Sequence, residues 1–244
     1  IDNRHALLEW EKAEKYGWSL ELDTSPAKIK CKIKWKNGWS SPELDISEWK
    51  GWKGWKGCTF EGTTLIQLYC SRNQLTELPD LRPCISLKAL YCNNNQLTEL
   101  PDLRQCVSLK TLDCYDNQLT ELPDLRQCVS LKVLSCSDNQ LTELTDLRPC
   151  VSLKHLWCSN NQLTELPDLR QCVSLQSLNC SNNQLTELTE GLPRCVSLTD
   201  LYCSYNQLTE LPDLSKCVSL VELYCNNNQL TEEPKVPPIT EVYN

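Results

Sequence analysis

The sequence is poor in several residue types, since its 244 residues include no methionine, one phenylalanine and two histidines. It also lacks any apolar run of the roughly 20 residues that a transmembrane helix requires, so we expect no membrane insertion. The first residues, IDNRHALLEWEKAEKYGW, lack the basic start and the apolar centre of a signal peptide. Because the chain begins at Ile1 and not at methionine, we expect a processed form or an excised piece, which leaves a removed signal peptide open.

Metal ligands are missing at the spacing that metal sites use. The chain has 17 cysteines, but neither a CxxC nor a CxxH pattern occurs. Structural zinc sites depend on such closely spaced ligands. We therefore expect no metal, and nothing in the sequence indicates a cofactor.

Positive charge is scarce after residue 57. Residues 1–57 hold 11 basic and 9 acidic residues, whereas residues 58–244 hold 13 basic and 23 acidic residues. A negatively charged surface repels the phosphate backbone, so nucleic acid is excluded as a partner of this region. A protein partner with a basic patch is favoured instead.

A 22-residue unit dominates what is present. The stretch LKTLDCYDNQLTELPDLRQCVS, residues 109–130, recurs eight times in register, with one additional residue at Gly191. The units begin at Leu65, Leu87, Leu109, Leu131, Leu153, Leu175, Leu198 and Leu220. A period of this length predicts a solenoid. We place an array of eight 22–23-residue units at 58–232, between an N-terminal cap (1–57) and a Pro-rich C-terminal tail or cap (233–244).

The order LxxLxCxxNxL resembles the leucine-rich repeat, with cysteine where most members carry a third leucine. The unit length, together with NQLTEL and LPDL, resembles the repeats of bacterial internalins and of leucine-rich-repeat effectors of pathogens. The resemblance implies an α/β repeat fold, a solenoid with a curved parallel β-sheet and with 3₁₀ turns or short helices on its convex side. It also implies a partner bound on the concave face of that sheet.

Most positions of a unit have a physical role. Leu109, Leu112 and Cys114 fit a short strand whose apolar side chains point inward, and stacked units place such strands side by side. Asn117 follows the strand, where its amide can donate to one turn and accept from another. Pro123 favours the first position of a helical turn on the convex side.

The cysteines form two ladders of eight, one in the strands and one before the next strand, and Cys31 stands apart. Equivalent strand positions lie near 5 Å apart, farther than the roughly 3.8 Å between the β-carbons of a disulfide. We therefore expect free, buried thiols. Free thiols favour a reducing compartment, so we expect a cytoplasmic location, including a host cytoplasm after secretion, with the cell surface left open.

The cap at 1–57 is rich in tryptophan. A helix is expected from Asp2 or Asn3, ending before Gly17. The alternating segment AKIKCKIKW, followed by Asn37-Gly38, predicts a β-hairpin that covers the first repeat. A basic docking face is the alternative.

Trp49, Trp52 and Trp55 recur at intervals of three, which aligns them on one face of a 3₁₀ or polyproline-II segment. We interpret this stripe as core packing, and an aromatic ledge for sugars is the alternative.

The units differ from one another where a partner would touch. We call the sheet surface formed by the third, fifth, seventh and eighth residues of each unit the concave face. Its third position carries eight residue types in eight units: Gln67, Ala89, Thr111, Val133, His155, Ser177, Asp200 and Glu222. The exposed Gln-Leu-Thr-Glu stretch is identical in all eight. The sequence therefore predicts a non-catalytic protein-binding module.

The candidate binding residues are aromatic or charged, because aromatic side chains dominate the energetic anchors of interfaces. They are Tyr69, Tyr91, Asp113, Tyr115, Asp116, Asp138, His155, Trp157, Tyr202, Tyr205 and Tyr224. His155 with Asp113 and Asp138 also permits an acid–base cluster, but an open sheet neither excludes water nor shifts pKa values as active sites do. Glycan recognition by the same aromatics, in a carbohydrate-binding or cell-surface adhesion protein, is a further alternative.

Overall fold

A computed structural model describes residues 65–244, together with four preceding strands: β1 (Trp18–Asp23), β2 (Lys30–Trp35), β3 (Glu43–Asp45) and β4 (Cys58–Phe60). Three predictions lie outside the described residues: the helix that begins at Asp2 or Asn3, the turn at Asn37-Gly38 and the stripe of Trp49, Trp52 and Trp55.

A ten-stranded parallel sheet runs through the described part of the chain. Its order is β3, then β5 (Gln67–Tyr69), β6 (Ala89–Tyr91), β7 (Thr111–Asp113), β8 (Val133–Ser135), β9 (His155–Trp157), β10 (Ser177–Asn179), β11 (Asp200–Tyr202), β12 (Glu222–Tyr224) and β13 (Glu241–Tyr243). Equivalent positions of successive units pair, as Leu112 does with Leu134. The predicted leucine-rich-repeat solenoid is therefore confirmed.

The core consists of the leucines and cysteines of the units. Leu109, Leu112 and Cys114, for example, have no solvent-exposed surface, and their equivalents from Leu65 to Cys225 join them in one continuous cluster. All 15 cysteines whose side chains are described are free and buried, which confirms the prediction of free thiols for them. The side chains of Cys31 and Cys58 lie outside the described residues.

The second cysteine ladder also contacts the backbone. Sγ of Cys106 lies 3.8 Å from the carbonyl oxygen of Leu81 and 3.7 Å from that of Cys84, and Cys128 repeats these contacts one unit later. A thiol is a weak donor, so cysteine fills the space of a small apolar side chain and also gives these carbonyls a partner. Burial raises the pKa of the Cys106 thiol to about 11.

The asparagine ladder forms as predicted. Nδ2 of Asn117 donates to the carbonyl oxygens of Cys92 in the preceding unit and Cys114 in its own, both at 3.1 Å. Its Oδ1 accepts from the backbone nitrogen of Leu97 at 3.0 Å. One buried amide thus satisfies backbone groups of two units that no strand pairing could reach.

The convex side is built from tight turns. In each regular unit two consecutive i to i+3 bonds meet at the cysteine of the second ladder. Cys128 N, for example, donates to Leu125 O at 2.8 Å and Leu131 N donates to Cys128 O at 2.9 Å. The only helix among the described residues is the 3₁₀ helix Leu192–Arg194, in the unit with the additional residue. Gly191 is needed there, because a Cβ would lie 2.6 Å from the backbone nitrogen of Arg170.

Asp–Arg pairs border these turns in five units. Oδ1 of Asp124 accepts from the backbone nitrogen of Arg126 at 3.0 Å, and Oδ2 lies 2.8 Å from its guanidinium. The hydrogen bonds from Arg126 lower the pKa of Asp124 to about 2. Such exposed pairs contribute little to stability, so we regard the backbone bond, which fixes the turn, as their main role.

The strand predicted from AKIKCKIKW is present as β2, but its antiparallel partner precedes it. β1 pairs with β2, and β4 pairs with the other edge of β2 in parallel. The register sets Leu20 opposite Ile33 and Glu21 opposite Lys32, so the alternation of the two sequences matches. The strand at Glu43–Asp45, after Asn37-Gly38, instead joins the large sheet beside β5.

The C-terminal segment continues the solenoid. Lys235 O accepts a bond from Leu214 N at 2.9 Å, Val236 packs against the core and β13 pairs with β12. Of the two alternatives predicted for 233–244, this arrangement corresponds to a cap, while the domain boundaries themselves stay predictions. No helix in the described residues has the length and apolar content to cross a membrane.

Candidate partner-binding face

The concave face is formed by residues that flank the buried middle leucine of each strand. In β7, Thr111 and Asp113 are half-buried on either side of the fully buried Leu112. The same alternation recurs in β5, β11 and β12. Side chains at the third and fifth positions are thus held by the sheet and also reach its surface.

Aromatic residues at the N-terminal end of this face form a stacked pair. The rings of Tyr69 and Tyr91 lie 4.8 Å apart and nearly parallel, and the Tyr69 hydroxyl donates to Gln67 on the same strand. Tyr115 lies farther along, where its hydroxyl accepts from Nδ2 of Asn94 at 3.1 Å. Stacking of equivalent residues in adjacent units follows directly from the strand spacing.

The centre of the face carries a histidine and a tryptophan. The ring centroids of His155 and Trp157 are 5.5 Å apart, and Trp157 Nε1 donates to Ser177 Oγ at 3.3 Å. Trp157 is 38% exposed, whereas Ser135, its neighbour on β8, is buried. Nδ1 of His155 is shielded from solvent and has no hydrogen-bond partner.

Burial raises the pKa of Asp113, and bonds from Ser135 and the Tyr115 backbone oppose that effect. No group of three or more metal-binding side chains is present within residues 65–244. The centre of the face presents the partly exposed Trp157 ring beside His155, and the half-buried Asp113.

The C-terminal end carries a longer aromatic ladder. Tyr202 and Tyr224 stack at 5.0 Å, and Tyr224 stacks on Tyr243 at 4.2 Å. A carboxylate lies two residues before each tyrosine, at Asp200, Glu222 and Glu241. The Tyr202 hydroxyl donates to Glu222 Oε2 at 3.0 Å, and the Tyr243 hydroxyl donates to Glu241 Oε2 at 2.8 Å. Burial, followed by the bond to Glu222, raises the pKa of Tyr202 to about 12.

The eighth position of each unit has a backbone reason for its residue type. Its residues are those with positive φ, between 52° and 56°: Arg72, Asn94, Asp116, Asp138, Asn160, Asn182, Tyr205 and Asn227. Asn and Asp tolerate this left-handed conformation, so Asp116 and Asp138 are explained by the turn itself. Arg72 and Tyr205 are not, and Tyr205 is also 55% exposed.

Residues at the seventh position are less accessible than the sequence suggested. Ser137, Ser159 and Ser204 are buried, and Ser159 Oγ donates to Ser137 Oγ at 3.0 Å. Short hydroxyl side chains bond between units there, so this position contributes to packing. In the other five units, that of Tyr115 included, the seventh position is half-buried and remains part of the variable surface.

Glu241 and Tyr243 were missed as candidates because they follow the last recognisable unit. The signal was present in the sequence, since Glu241-Val242-Tyr243 repeats the pattern of Glu222-Leu223-Tyr224. The interval between the two segments is 19 residues, so the second lies outside the 22-residue register of the units.

The geometry is that of a leucine-rich-repeat solenoid, and the sequence profile described as "Leucine Rich repeats (2 copies)" matches residues 63–105, 107–149, 151–194 and 196–237. The chain therefore belongs to the leucine-rich-repeat family. No curated protein matches it at a significant level.

Solved structures of bacterial proteins are similar to this chain. The leucine-rich effector YopM from Yersinia pestis is 32% identical, with a TM-score of 0.65 over 83% of this chain and 59% of that one. The functional domain of InlJ from Listeria monocytogenes, which includes a cysteine ladder, is 34% identical, with a TM-score of 0.56 over 79% of this chain and 45% of that one. The resemblance to internalin-like and effector-like repeats is confirmed.

A plant protein shares the fold as well. The peptide hormone receptor RGFR1, in complex with RGF2, is 26% identical, with a TM-score of 0.62 over 70% of this chain and 31% of that one. The chain thus spans between about a third and three fifths of the length of these three relatives.

Proposed function

We propose that the chain is a non-catalytic module that binds a protein partner on its concave face, as a microbial effector or a receptor-like protein does. The observation that carries the proposal is the contrast between two sets of exposed residues. Thr120 and Glu121 are exposed and identical in every unit, whereas the third position, occupied by Thr111 in the same unit, differs in all eight. Exposure alone does not explain such a difference.

The chemistry of the face suits a protein surface. Tyrosine and tryptophan supply large contact areas at a small entropic cost, and hot spots of interfaces are rich in them. The excess of acidic residues after residue 57 favours a partner with a basic patch, through complementary potentials. Among the relatives, YopM is an effector protein and RGFR1 forms a complex with RGF2, which supports an interaction role.

The thiols support an intracellular place of action. All 15 described cysteines are free, although 17 are present in the chain. Free thiols persist most readily in a reducing compartment, so we propose the cytoplasm, that of a host cell included.

Affinity capture tests the proposal. The intact chain is compared with a variant in which Tyr91, Tyr115, Trp157 and Tyr202 are changed to serine. We expect a captured protein to be lost with the variant, and the double substitution Trp157→Ala and Tyr202→Ala to weaken its binding by more than about 2 kcal/mol.

A matched control changes exposed residues away from the face, such as Thr120→Ala and Thr164→Ala, and should retain the partner. Equal capture by the intact chain and by the quadruple serine variant would show that the concave face is not the functional surface. A glycan-array signal without any captured protein would favour carbohydrate binding instead.

A further inference from the structure

The C-terminal end of the concave face has an unusual hydrogen-bonding character. The Tyr202 and Tyr243 hydroxyls each give their single proton to a carboxylate of the ladder, at Glu222 and Glu241. The remaining capacity of these hydroxyl oxygens is to accept bonds, and a carboxylate is itself an acceptor. Asp200 is similar, since its Oδ2 accepts from Thr199 Oγ1 at 2.7 Å. The third hydroxyl, that of Tyr224, forms a hydrogen bond with Tyr243. The ladder therefore offers a partner mainly acceptors.

The charge of this region is also uncompensated. Within residues 65–244, lysine and arginine form ion pairs only in the Asp–Arg pairs at the convex turns. No basic side chain of the described residues pairs with Asp200, Glu222 or Glu241. Parallel pairing holds these three side chains at equivalent positions on adjacent strands, where like charges repel one another. A cationic partner would relieve that repulsion.

We propose that this ladder, Asp200, Tyr202, Glu222, Tyr224, Glu241 and Tyr243, binds an extended peptide segment of a partner protein that carries arginine side chains. The inference rests on the proposed function, and it names the chemistry of the partner. Guanidinium groups supply several donors in a planar fork, which fits carboxylate oxygens in pairs. Residues i and i+2 of an extended peptide lie about 6.8 Å apart on one face, so the two long side chains of an Arg-X-Arg pattern can reach carboxylates on different strands of the ladder.

The C-terminal strand is part of this site. β13 supplies one of the three carboxylates and one of the three rings, and Tyr243 is 41% exposed. The function of residues 241–243 is therefore to extend the binding surface as well as to cover the last unit.

Fluorescence anisotropy with a labelled Gly-Ser-Arg-Ser-Arg-Ser-Gly peptide tests the proposal on the full chain, at an ionic strength of about 0.15 M. A second peptide replaces both arginines by citrulline, which keeps the shape and removes the charge. We expect the arginine peptide to bind and the citrulline peptide to bind at least about tenfold more weakly. The affinity of the double variant Glu222→Gln and Glu241→Gln for the arginine peptide should fall by a similar factor.

The matched control removes the same charge elsewhere. Glu187 and Glu210 are exposed in the invariant Gln-Leu-Thr-Glu stretches, and their change to glutamine should leave the affinity within about twofold, because only distant screening changes. Tyr243→Ala should also weaken binding of the arginine peptide, and its unfolding transition should be unchanged. Three outcomes would each overturn the inference. The intact chain does not bind the arginine peptide, or it binds the citrulline peptide equally well, or the control variant loses as much affinity as the double variant of the ladder.

The outcome is separable from that of the proposed function. If Trp157→Ala abolishes capture of a native partner while Glu222→Gln and Glu241→Gln affect neither assay, the concave face binds protein and the arginine ladder does not. If the ladder variants abolish binding of the arginine peptide while no concave substitution alters capture, the ladder binds cationic segments and the broader proposal fails.

Discussion

The two sides of each strand obey different constraints. On the core side, Leu112 and Cys114 have counterparts of the same residue type in all eight units, and none is exposed. On the concave side, Thr111 and Asp113 have counterparts that range from Ala89 to Trp157. The difference shows that packing against the neighbouring units specifies the first set, whereas the fold places little restriction on the second. Substitutions on the two sides should therefore separate stability from binding.

The largest expected effect is the difference in thiol labelling between the native and the denatured protein. A thiol reagent is expected to label none of the 15 described cysteines in the native protein and all of them after denaturation, because burial removes both access and the thiolate form. Burial raises the pKa of Cys158 to about 12, and that of Cys92 well above its ordinary value. Mass spectrometry of the labelled chain gives the count. Rapid native labelling of several strand cysteines would contradict the observed register.

The next largest effect is expected on the free energy of unfolding, when a residue of the asparagine ladder is replaced. Asn117→Ala removes the acceptor of the buried Leu97 nitrogen, and it leaves the Cys92 carbonyl with only its bond from Asn95 Nδ2. We expect a loss of about 2–4 kcal/mol in the free energy of unfolding, because unsatisfied buried groups retain their full desolvation penalty. Urea denaturation measures it. The adjacent exposed residue gives the control, since Gln118→Ala should change stability by less than about 0.5 kcal/mol.

The same contrast determines what the sequence could reveal. Leu109, Cys114 and Asn117 have roles that any stacked unit must fill, so their recurrence was enough to predict the strand, the core and the ladder. The partner of β2 was not predictable in this way, because the alternation in WSLELD and the turn signal at Asn37-Gly38 suggest different hairpins. Only the observed register, with Leu20 opposite Ile33, decides between them.

The candidate site was less predictable than the fold. Recurrence identified the strand positions but not the backbone conformation at the eighth position, where positive φ accounts for Asp116 and Asp138. It also missed Tyr243, since the last strand departs from the repeat period. The sequence does not predict the role of a residue that has no recurring equivalent in the other units, and the candidate binding residues of the concave face are of this kind.

The eighth position permits a test on the concave side itself. Tyr205 has a φ of 56°, a conformation that asparagine tolerates better than an aromatic residue. Tyr205→Asn should therefore stabilise the chain by about 0.5–1 kcal/mol, and Asn160→Tyr, the reverse change in another unit, should destabilise it by a similar amount. Thermal or urea unfolding measures both. Destabilisation by Tyr205→Asn would mean that packing of the ring outweighs its backbone strain.

The smallest effect on stability is expected from a substitution at Asp113, a half-buried carboxyl on the concave side. Burial raises the pKa of this carboxyl, so its protonated form is the one that the folded state favours. Its contribution to stability is therefore complete below the unfolded pKa of about 3.9 and is lost as pH rises through the folded pKa. Asp113→Asn, which cannot ionise, should gain up to about 0.5 kcal/mol over the native chain at neutral pH and nothing near pH 3. Urea denaturation at the two pH values measures the difference. A variant that is less stable at neutral pH would show that the bonds from Ser135 and from the Tyr115 nitrogen favour the ionised carboxylate by more than burial opposes it.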